Sequence, residues 1–274
     1  MKAFEVAGNA PRQGRASVRS ERRSAVLRYI KAVGTISDSE ADLVLHGAGD
    51  VAIAAPGAEL LRLGAQLNQP RMILSGWAGL SVVLSDGRRQ FLDFALPGDV
   101  VGFSLHPNSQ AKAAVVCLTP VETMKIPALA VCMETPERLP GLLSVLHAAQ
   151  DHFENRLLNQ IVRNGCQTAH EKLCSLLLEL YARLARVGLA EQLSFELPIS
   201  QIVIADALGL STVHVNRTFQ LLKREGIIQS EGHRLTILNL PVMRKSAGQL
   251  RLPKSPADTN GVEMLDAPEA RLPE

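Results

Sequence analysis

Aromatic side chains are scarce in this chain. Phe, Tyr and Trp make up 4% of its 274 residues, with a single Trp. Leu, Val, Ile and Ala must therefore fill its cores, and a hydrophobic content of 46% is enough for ordinary ones. Cysteine is scarce too. The four residues Cys117, Cys132, Cys166 and Cys174 include no pair at the short spacing of a zinc or iron–sulfur site. No metal site or cofactor is expected, and the thiols read as reduced and mostly buried, as in a cytoplasmic protein. A redox pair of Cys166 with Cys174 is the disfavoured alternative. No apolar run approaches the roughly 18–20 residues of a membrane span, so no membrane partner is expected. Charge of one sign is also lacking. The formal net charge of +2 does not announce a nucleic-acid partner, and any basic surface would have to be local.

The length suggests two domains. Residues 1–24 lack the apolar segment of a secretory signal. Their arginines and small residues fit a disordered basic arm, with a nucleic-acid-touching arm as the sharper reading. Residues 22–46 read as two short helices, with Ser37 and Glu40 spaced as a capping box. From about 50 to 126 the period changes to two. ELLRLG, RMILSG, WAGLSVVL, RQFLDFAL, AAVVCL and VETMKI are short apolar runs separated by turn signals. Asp86-Gly87 between alternating runs predicts a hairpin. Strands this short and this regularly spaced predict a small barrel or jelly roll.

Beyond 126 the pattern is helical. Thr135-Pro136 can cap and start a helix. Leu142, Leu146, Ala149, Phe153, Leu157 and Ile161 then recur every three or four residues as one apolar stripe. Such a stripe suits a helix packed on its own barrel, or a seam shared by two subunits. The second is preferred, because the helix joins two apparent domains. Asn164-Gly165 reads as a hinge, and a second helix ends at the C-cap glycine Gly188.

The stretch SQIVIADALGLSTVHVNRTFQLLKR carries the chemistry. Ser200 is a good N-cap, and Ile202, Ile204, Ala207 and Leu208 suit the inner side of a first short helix. Ala205 is small enough for a second helix to approach. Gly209 permits a positive-φ turn. Ser211 caps the second helix, whose inner face is Val215, Phe219 and Leu222. Thr212, Val213, Asn216, Arg217 and Gln220 lie opposite. A small residue, a glycine and a β-branched residue at these intervals are the packing demands of a helix-turn-helix. Two strands, 227–230 and 234–238, follow around Glu231-Gly232 and would form a wing. Between 199 and 245 six Lys/Arg (217, 223, 224, 234, 244, 245) face three acids (206, 225, 231), a local excess of +3. Arg217 can bond guanine O6/N7, and Asn216 or Gln220 can pair adenine.

These residues resemble the Crp/Fnr family of bacterial transcription regulators over most of residues 25–240. The most specific part is IADALGLSTVHVNRTFQLLKREGII; SGWAGLSVVLSDGRRQFLDFALPGDVVG is similar to the family's strand–hairpin–strand–PGDxxG pattern. The resemblance implies an α+β fold: an N-terminal cyclic-nucleotide-binding-like β-roll (jelly roll), a long central dimerisation helix and a C-terminal winged helix-turn-helix. The expected boundaries are an arm at 1–24, a sensor domain at 25–135, the dimerisation helix at 136–165, the DNA-binding domain at 166–245 and a disordered tail at 246–274. A homodimer on a roughly palindromic double-stranded DNA site is implied, with RNA polymerase as a further partner. The apolar stripe above supplies the expected dimer interface.

The family's base-reading positions fall on Thr212, Val213, Asn216 and Arg217. Val213 stands where well-studied members have a glutamate, so cytosine N4 loses an acceptor there and a thymine methyl is the expected contact. Ser211 and His214 align with capping or phosphate-contacting positions, and Ser200 and Gln201 with backbone clamps. Gln220 and Arg234 complete the expected DNA surface. The effector site departs further. Phe103 replaces the glutamate that holds a ribose, and the phosphate-gripping arginine falls near Ala111, with Lys112 beside it. A cyclic phosphate would lack its guanidinium fork, so cAMP is not expected to bind as in the type member. The N-terminal cysteine cluster of iron–sulfur members is missing. His106, His147 and His152 are conceivable haem ligands but read as ordinary histidines. The effector is not legible. A cupin-like enzyme would need several converging His, and the strand region offers only His106.

Overall fold

The computed structural model describes residues 25–248, apart from 48, 50 and 107. The expected N-terminal arm, and the tail beyond 248, lie outside the described residues. Two helices lead, α1 through residues 25–33 and α2 over Asp38–Gly47. Eight strands follow: β1 (Val51–Ala54), β2 (Glu59–Leu61), β3 (Asn68–Ser75), β4 (Ala78–Val83), β5 (Arg89–Ala95), β6 (Val100–Phe103), β7 (Ala114–Cys117) and β8 (Val121–Lys125). They form two antiparallel four-stranded sheets, ordered β1-β8-β3-β6 and β2-β7-β4-β5. Alternation sends Ile73, Val115, Cys117 and Val121 into the space between the sheets, which makes the roll. Four of its inward residues are thus β-branched or small, and no aromatic is spent there.

Asp86 and Gly87 do turn β4 into β5, with Gly87 at φ 85°. Further along that pair the register shifts: Leu80 faces Asp93 but Ser81 faces Phe91. Leu92 is the extra residue, and a bulge of this kind twists the strand. Phe91, Asp93 and Phe94 of β5 are consequently presented to the helices that follow.

α3 (Pro127–Glu134) and a 3-10 turn (Pro136–Arg138) precede the long helix α4 (Pro140–Cys166). Pro136 therefore starts the turn and not the long helix. The Thr135 hydroxyl bonds backward to the Val131 carbonyl and caps nothing. α4 has no side-chain cap of its own at Leu139. Its N-terminus is served instead by Glu40 of α2, whose carboxylate accepts from the Leu142 amide at 2.9 Å. The other carboxylate oxygen accepts from the Ser37 amide at 2.9 Å, closing the predicted capping box. Burial opposes ionisation of Glu40, but these amides and the Ser37 hydroxyl outweigh it and hold its pKa below the usual carboxylate value. The stabilisation is present above the unfolded-state pKa and is lost as pH falls through the lowered folded one. Glu40→Ala should cost about 1–2 kcal/mol. Urea unfolding at neutral pH checks this, and the difference from the parent should shrink in acid.

Gly165 lies inside α4, so the hinge falls two residues later, at the extended Gln167. Thr168 and Glu171 then form a capping box at the start of α5 (Ala169–Arg186). A β-ribbon of β9 (Ala190–Glu191) and β10 (Ser194–Glu196) leads to α6 (Gln201–Leu208), α7 (Thr212–Arg224), β11 (Ile228–Glu231), β12 (Arg234–Ile237) and α8 (Leu240–Ser246). The third sheet, β11-β12-β10-β9, carries the wing.

One core runs from the roll into this C-terminal module. Trp77, Phe91 and Phe94 pack with Leu173, Leu177, Leu180, Ile204 and Leu208. Trp77 and Phe94 meet tilted, with centroids 6.2 Å apart, and Phe91 stacks on Phe94 at 6.0 Å. Three of the chain's ten aromatics meet at this seam.

The apolar stripe of α4 divides. Leu142 and Leu146 are fully buried against Val26, Tyr29 and Ile30 of the same subunit. Contrary to the dimer seam expected from the stripe, both belong to the subunit's own core and offer no face to a second copy. Ala149, Phe153 and Leu157 are half-buried, and Ile161, with Leu158 beside it, is exposed.

Candidate nucleic-acid interface

Ser200 caps α6 by accepting from the Val203 amide, and Ser211 caps α7 by accepting from the His214 amide. Between them Gly209 takes φ 61° and ψ 38°, the left-handed conformation that ends α6. Ala205 is buried at the crossing of the two helices, and its carbonyl accepts from the amides of Gly209 and Leu210. Val215, Phe219 and Leu222 are buried, with Thr218 between them. Ile202 departs from expectation. It is 57% exposed, because a helix of eight residues has one inner face and Ile204, Ala205, Ala207 and Leu208 fill it.

The outer face of α7 presents Thr212, Val213, His214, Asn216, Arg217 and Gln220, all exposed. Val213, at 60% exposure, is an apolar side chain directed to solvent in a helix that buries its other valine, Val215. Gln201 is half-buried, and its Oε1 accepts from Asn216 Nδ2 at 3.1 Å. That bond ties the start of α6 to the outer face of α7 and orients both amides. Ser200 and Ser211 are exposed at the two helix N-termini, where unpaired amides and the helix dipole suit phosphate oxygens. Arg234 is exposed on the wing, paired across the hairpin with Glu231. The ten expected contact residues thus lie on α6, on α7 and on the wing of one module.

The roll holds a different kind of site. A cavity of about 420 Å³ lies between the β-roll and α4. Apolar side chains dominate its wall, among them Leu61, Leu80, Phe103 and Phe153. Ala111 is buried there and Lys112 is exposed. Two carboxylates and two arginines close one end. Asp93 accepts from Arg156 at 2.8 Å and from Arg183 of α5 at 3.2 Å. Asp99, in the Pro-Gly-Asp turn, accepts from Arg183 at 2.5 Å and from the Leu96 amide at 2.7 Å. Burial raises the Asp93 pKa despite both arginines. Burial also opposes ionisation of Asp99, but Arg183 and Arg156 outweigh it and hold its pKa down. The guanidinium of Arg183 is thereby engaged by both carboxylates. None of this network was anticipated from sequence. His106 and His147 are exposed on separate elements, and His152 lines the cavity. Among the described residues no three His, Cys, Asp or Glu gather as a metal site. Cys117, Cys132 and Cys174 are buried and Cys166 is exposed, all four as free thiols.

Residues 171–246 match the family described as Crp-like helix-turn-helix domain, and residues 53–131 match the cyclic nucleotide-binding domain. The chain is 31% identical over 189 residues to the transcriptional activator protein FnrL of Cereibacter sphaeroides, covering 66% of this chain and 73% of that protein. It is 35% identical over 161 residues to the nitrogen fixation regulation protein FixK of Bradyrhizobium diazoefficiens, covering 57% of this chain and 64% of FixK. The fold is similar to the structure of FixK2 from Bradyrhizobium japonicum, with a TM-score of 0.64 at 23% identity over 73% of this chain and 98% of that one. A roll that matches the cyclic nucleotide-binding domain, a long helix and a Crp-like helix-turn-helix stand in one chain, its relatives are regulators of this kind, and the chain belongs to the Crp/Fnr family of DNA-binding transcription regulators.

Proposed function

We propose that the chain acts as a homodimer on a roughly palindromic duplex site and does not need cAMP to do so. The observation that carries this reading is the outer face of α7, where base-reading types stand exposed opposite a buried apolar face. Two such helices in successive major grooves would read one half-site each. Arg217 meets guanine, Val213 a thymine methyl, and Asn216 or Gln220 adenine. Ser200, Gln201, Ser211, His214 and Arg234 hold the phosphates and set register. RNA polymerase is the further partner that the family implies, and the cytoplasm is where it would be met. The functional parts are a sensor domain (25–135), a dimerisation helix (136–165) and a DNA-binding domain (166–245).

The dimer face is the C-terminal half of α4. Leu158 and Ile161, 47% and 67% exposed, are apolar side chains one turn apart on a helix. Phe153 and Leu157 flank them, and Ala149 lies a turn before. Leu158→Glu with Ile161→Glu should convert the protein to a monomer and abolish palindrome binding, as sedimentation and a gel shift would show. An unchanged mass would remove α4 as the seam.

The direct test is selection of bound sequences from a random duplex library with and without cAMP. The same palindrome in both arms supports the reading, and a palindrome that appears only with cAMP overturns its cAMP independence. A second reading, regulation by another effector, is favoured by the apolar cavity beneath α4.

A further inference from the structure

The last turn of α6 is held by side chains from outside its module, joined by one from α5 within it. A helix end leaves carbonyls without intrahelical partners. In α6 the Ala207 carbonyl accepts from Gln90 Nε2 of β5 at 2.8 Å, and from Gln160 Nε2 and Asn164 Nδ2 of α4 at 2.5 and 3.3 Å. The next carbonyl, of Leu208, accepts from Lys172 Nζ of α5 at 3.1 Å. One residue earlier, Asp206 accepts from Arg89 of β5 through Nε and Nη2 at 3.0 and 2.8 Å. Three consecutive residues of α6 are therefore fixed by the roll, by α4 and by α5.

The donors are themselves held. Gln160 is buried, and its Oε1 accepts from Arg163 Nη1. Arg163 is 2% exposed, and its Nη2 donates to Glu179 of α5 at 2.7 Å. Glu179 neighbours Arg183 at 3.6 Å, and Arg183 holds Asp93 and Asp99 at the end of the cavity. The rotamer of Gln160 is thus locked by a buried cation, which is what a positioning group requires.

We infer that Gln160 and Asn164 are positioning residues that fix the angle between α6 and α4, and so set the half-site spacing the dimer accepts. This rests on the dimeric reading above. α4 carries the proposed dimer axis and α6 packs on the recognition helix, so a change of this angle moves the two recognition helices apart or together. Neither side chain is part of the surface offered to DNA. The shared aromatic seam keeps the module attached, while the amides decide its angle, because hydrogen bonds are directional and apolar packing is not.

The test is Gln160→Met with Asn164→Leu, which removes both α4 donors at similar volume. Affinity is measured for a single half-site and for palindromes with half-sites about one helical turn apart, and at one and two base pairs more or less. The wild type should prefer one spacing by about tenfold or more, as expected of rigidly placed modules. The variant should lose most of that preference while half-site affinity stays within about twofold. A variant that keeps the wild-type spacing preference overturns the inference. So does one whose half-site and palindrome affinities fall together. A wild type that binds half-site and palindrome equally overturns the dimeric reading and takes this inference with it. A nitroxide at Arg224→Cys, in a Cys166→Ser background, gives a second readout that needs no DNA. The distance between the two labels should be narrowly distributed in the parent and broadened in the double variant. Equal widths overturn the inference even where the variant binds DNA poorly.

Discussion

Arg217→Ala should weaken binding to the selected palindrome by about 1–3 kcal/mol for each half-site and leave one base pair no longer discriminated. The side chain is exposed on α7, and among the described residues it has no ion-pair partner. It would therefore meet a guanine without first giving up an ion pair. Asn216 starts differently: its amide already donates to Gln201, so pairing with adenine means exchanging one hydrogen bond for another. The larger effect is expected at Arg217 for this reason. Affinity measured against every single-base variant of one half-site, and against random duplex, separates base reading from charge. A loss of equal size on specific and random DNA would assign Arg217 to phosphate contact. The salt dependence gives the same answer independently, since each lost phosphate contact lowers the slope of log K against log salt by about 0.9.

Arg183→Met is expected to be the most destabilising single change in the described structure, by about 3–5 kcal/mol. Its guanidinium is 11% exposed and bonds Asp93, Asp99 and the Phe94 carbonyl. Burial works against its charge, yet Asp99, Asp93 and Glu179 outweigh that and raise its pKa. Removing it leaves the buried Asp99 without an ion-pair partner and Asp93 with Arg156 alone, a loss that methionine cannot make good. The pH dependence should change with it. In the parent the lowered pKa of Asp99 contributes stability above the unfolded carboxylate value, lost as pH falls through the folded one. In the variant that contribution reverses, because an unpaired buried carboxylate is easier to hold protonated. The parent should lose stability on acidification and the variant should recover part of its deficit. Thermal unfolding at several pH values decides the matter, and a pH-independent deficit would mean that the arginine matters for packing alone.

The sequence was informative where the physics is local. Period-two alternation marked six of the roll strands, and Asp86-Gly87 marked their hairpin, because side-chain alternation and positive φ are properties of a few consecutive residues. The helix-turn-helix was legible for the same reason: Ala205, Gly209 and Val215 meet steric demands within one short segment. β6 was hidden inside Pro97-Gly98-Asp99-Val100-Val101-Gly102, which reads as a motif before it reads as a strand. α8 was missed although Asn239 accepts from the Val242 amide and Pro241 sits in its first turn. What could not be read was pairing at a distance. Asp93 and Arg183 are 90 positions apart, and Gln160 and Ala207 are 47 apart. Nothing in either neighbourhood names the other. The stripe on α4 shows the same limit. Its spacing was right, but Leu142 and Leu146 are buried in a core shared with α1 and α3 of the same subunit, and only the tertiary structure says which neighbour a stripe meets.

The placement of Trp77, Phe91 and Phe94 has a consequence for how this regulator can be taken apart. A fragment carrying only the helix-turn-helix would begin with the leucines of α5 bare, and a fragment carrying only the roll would end with three aromatic rings in water. Neither piece inherits a surface suited to solvent. Recombining the roll with a foreign DNA-reading module would therefore require the graft to bring its own match to those rings, so exchange of modules by simple cut and join is disfavoured at this boundary. Diversification of what the protein reads is easier two helices away, on the outer face of α7, where residues can change without disturbing the join.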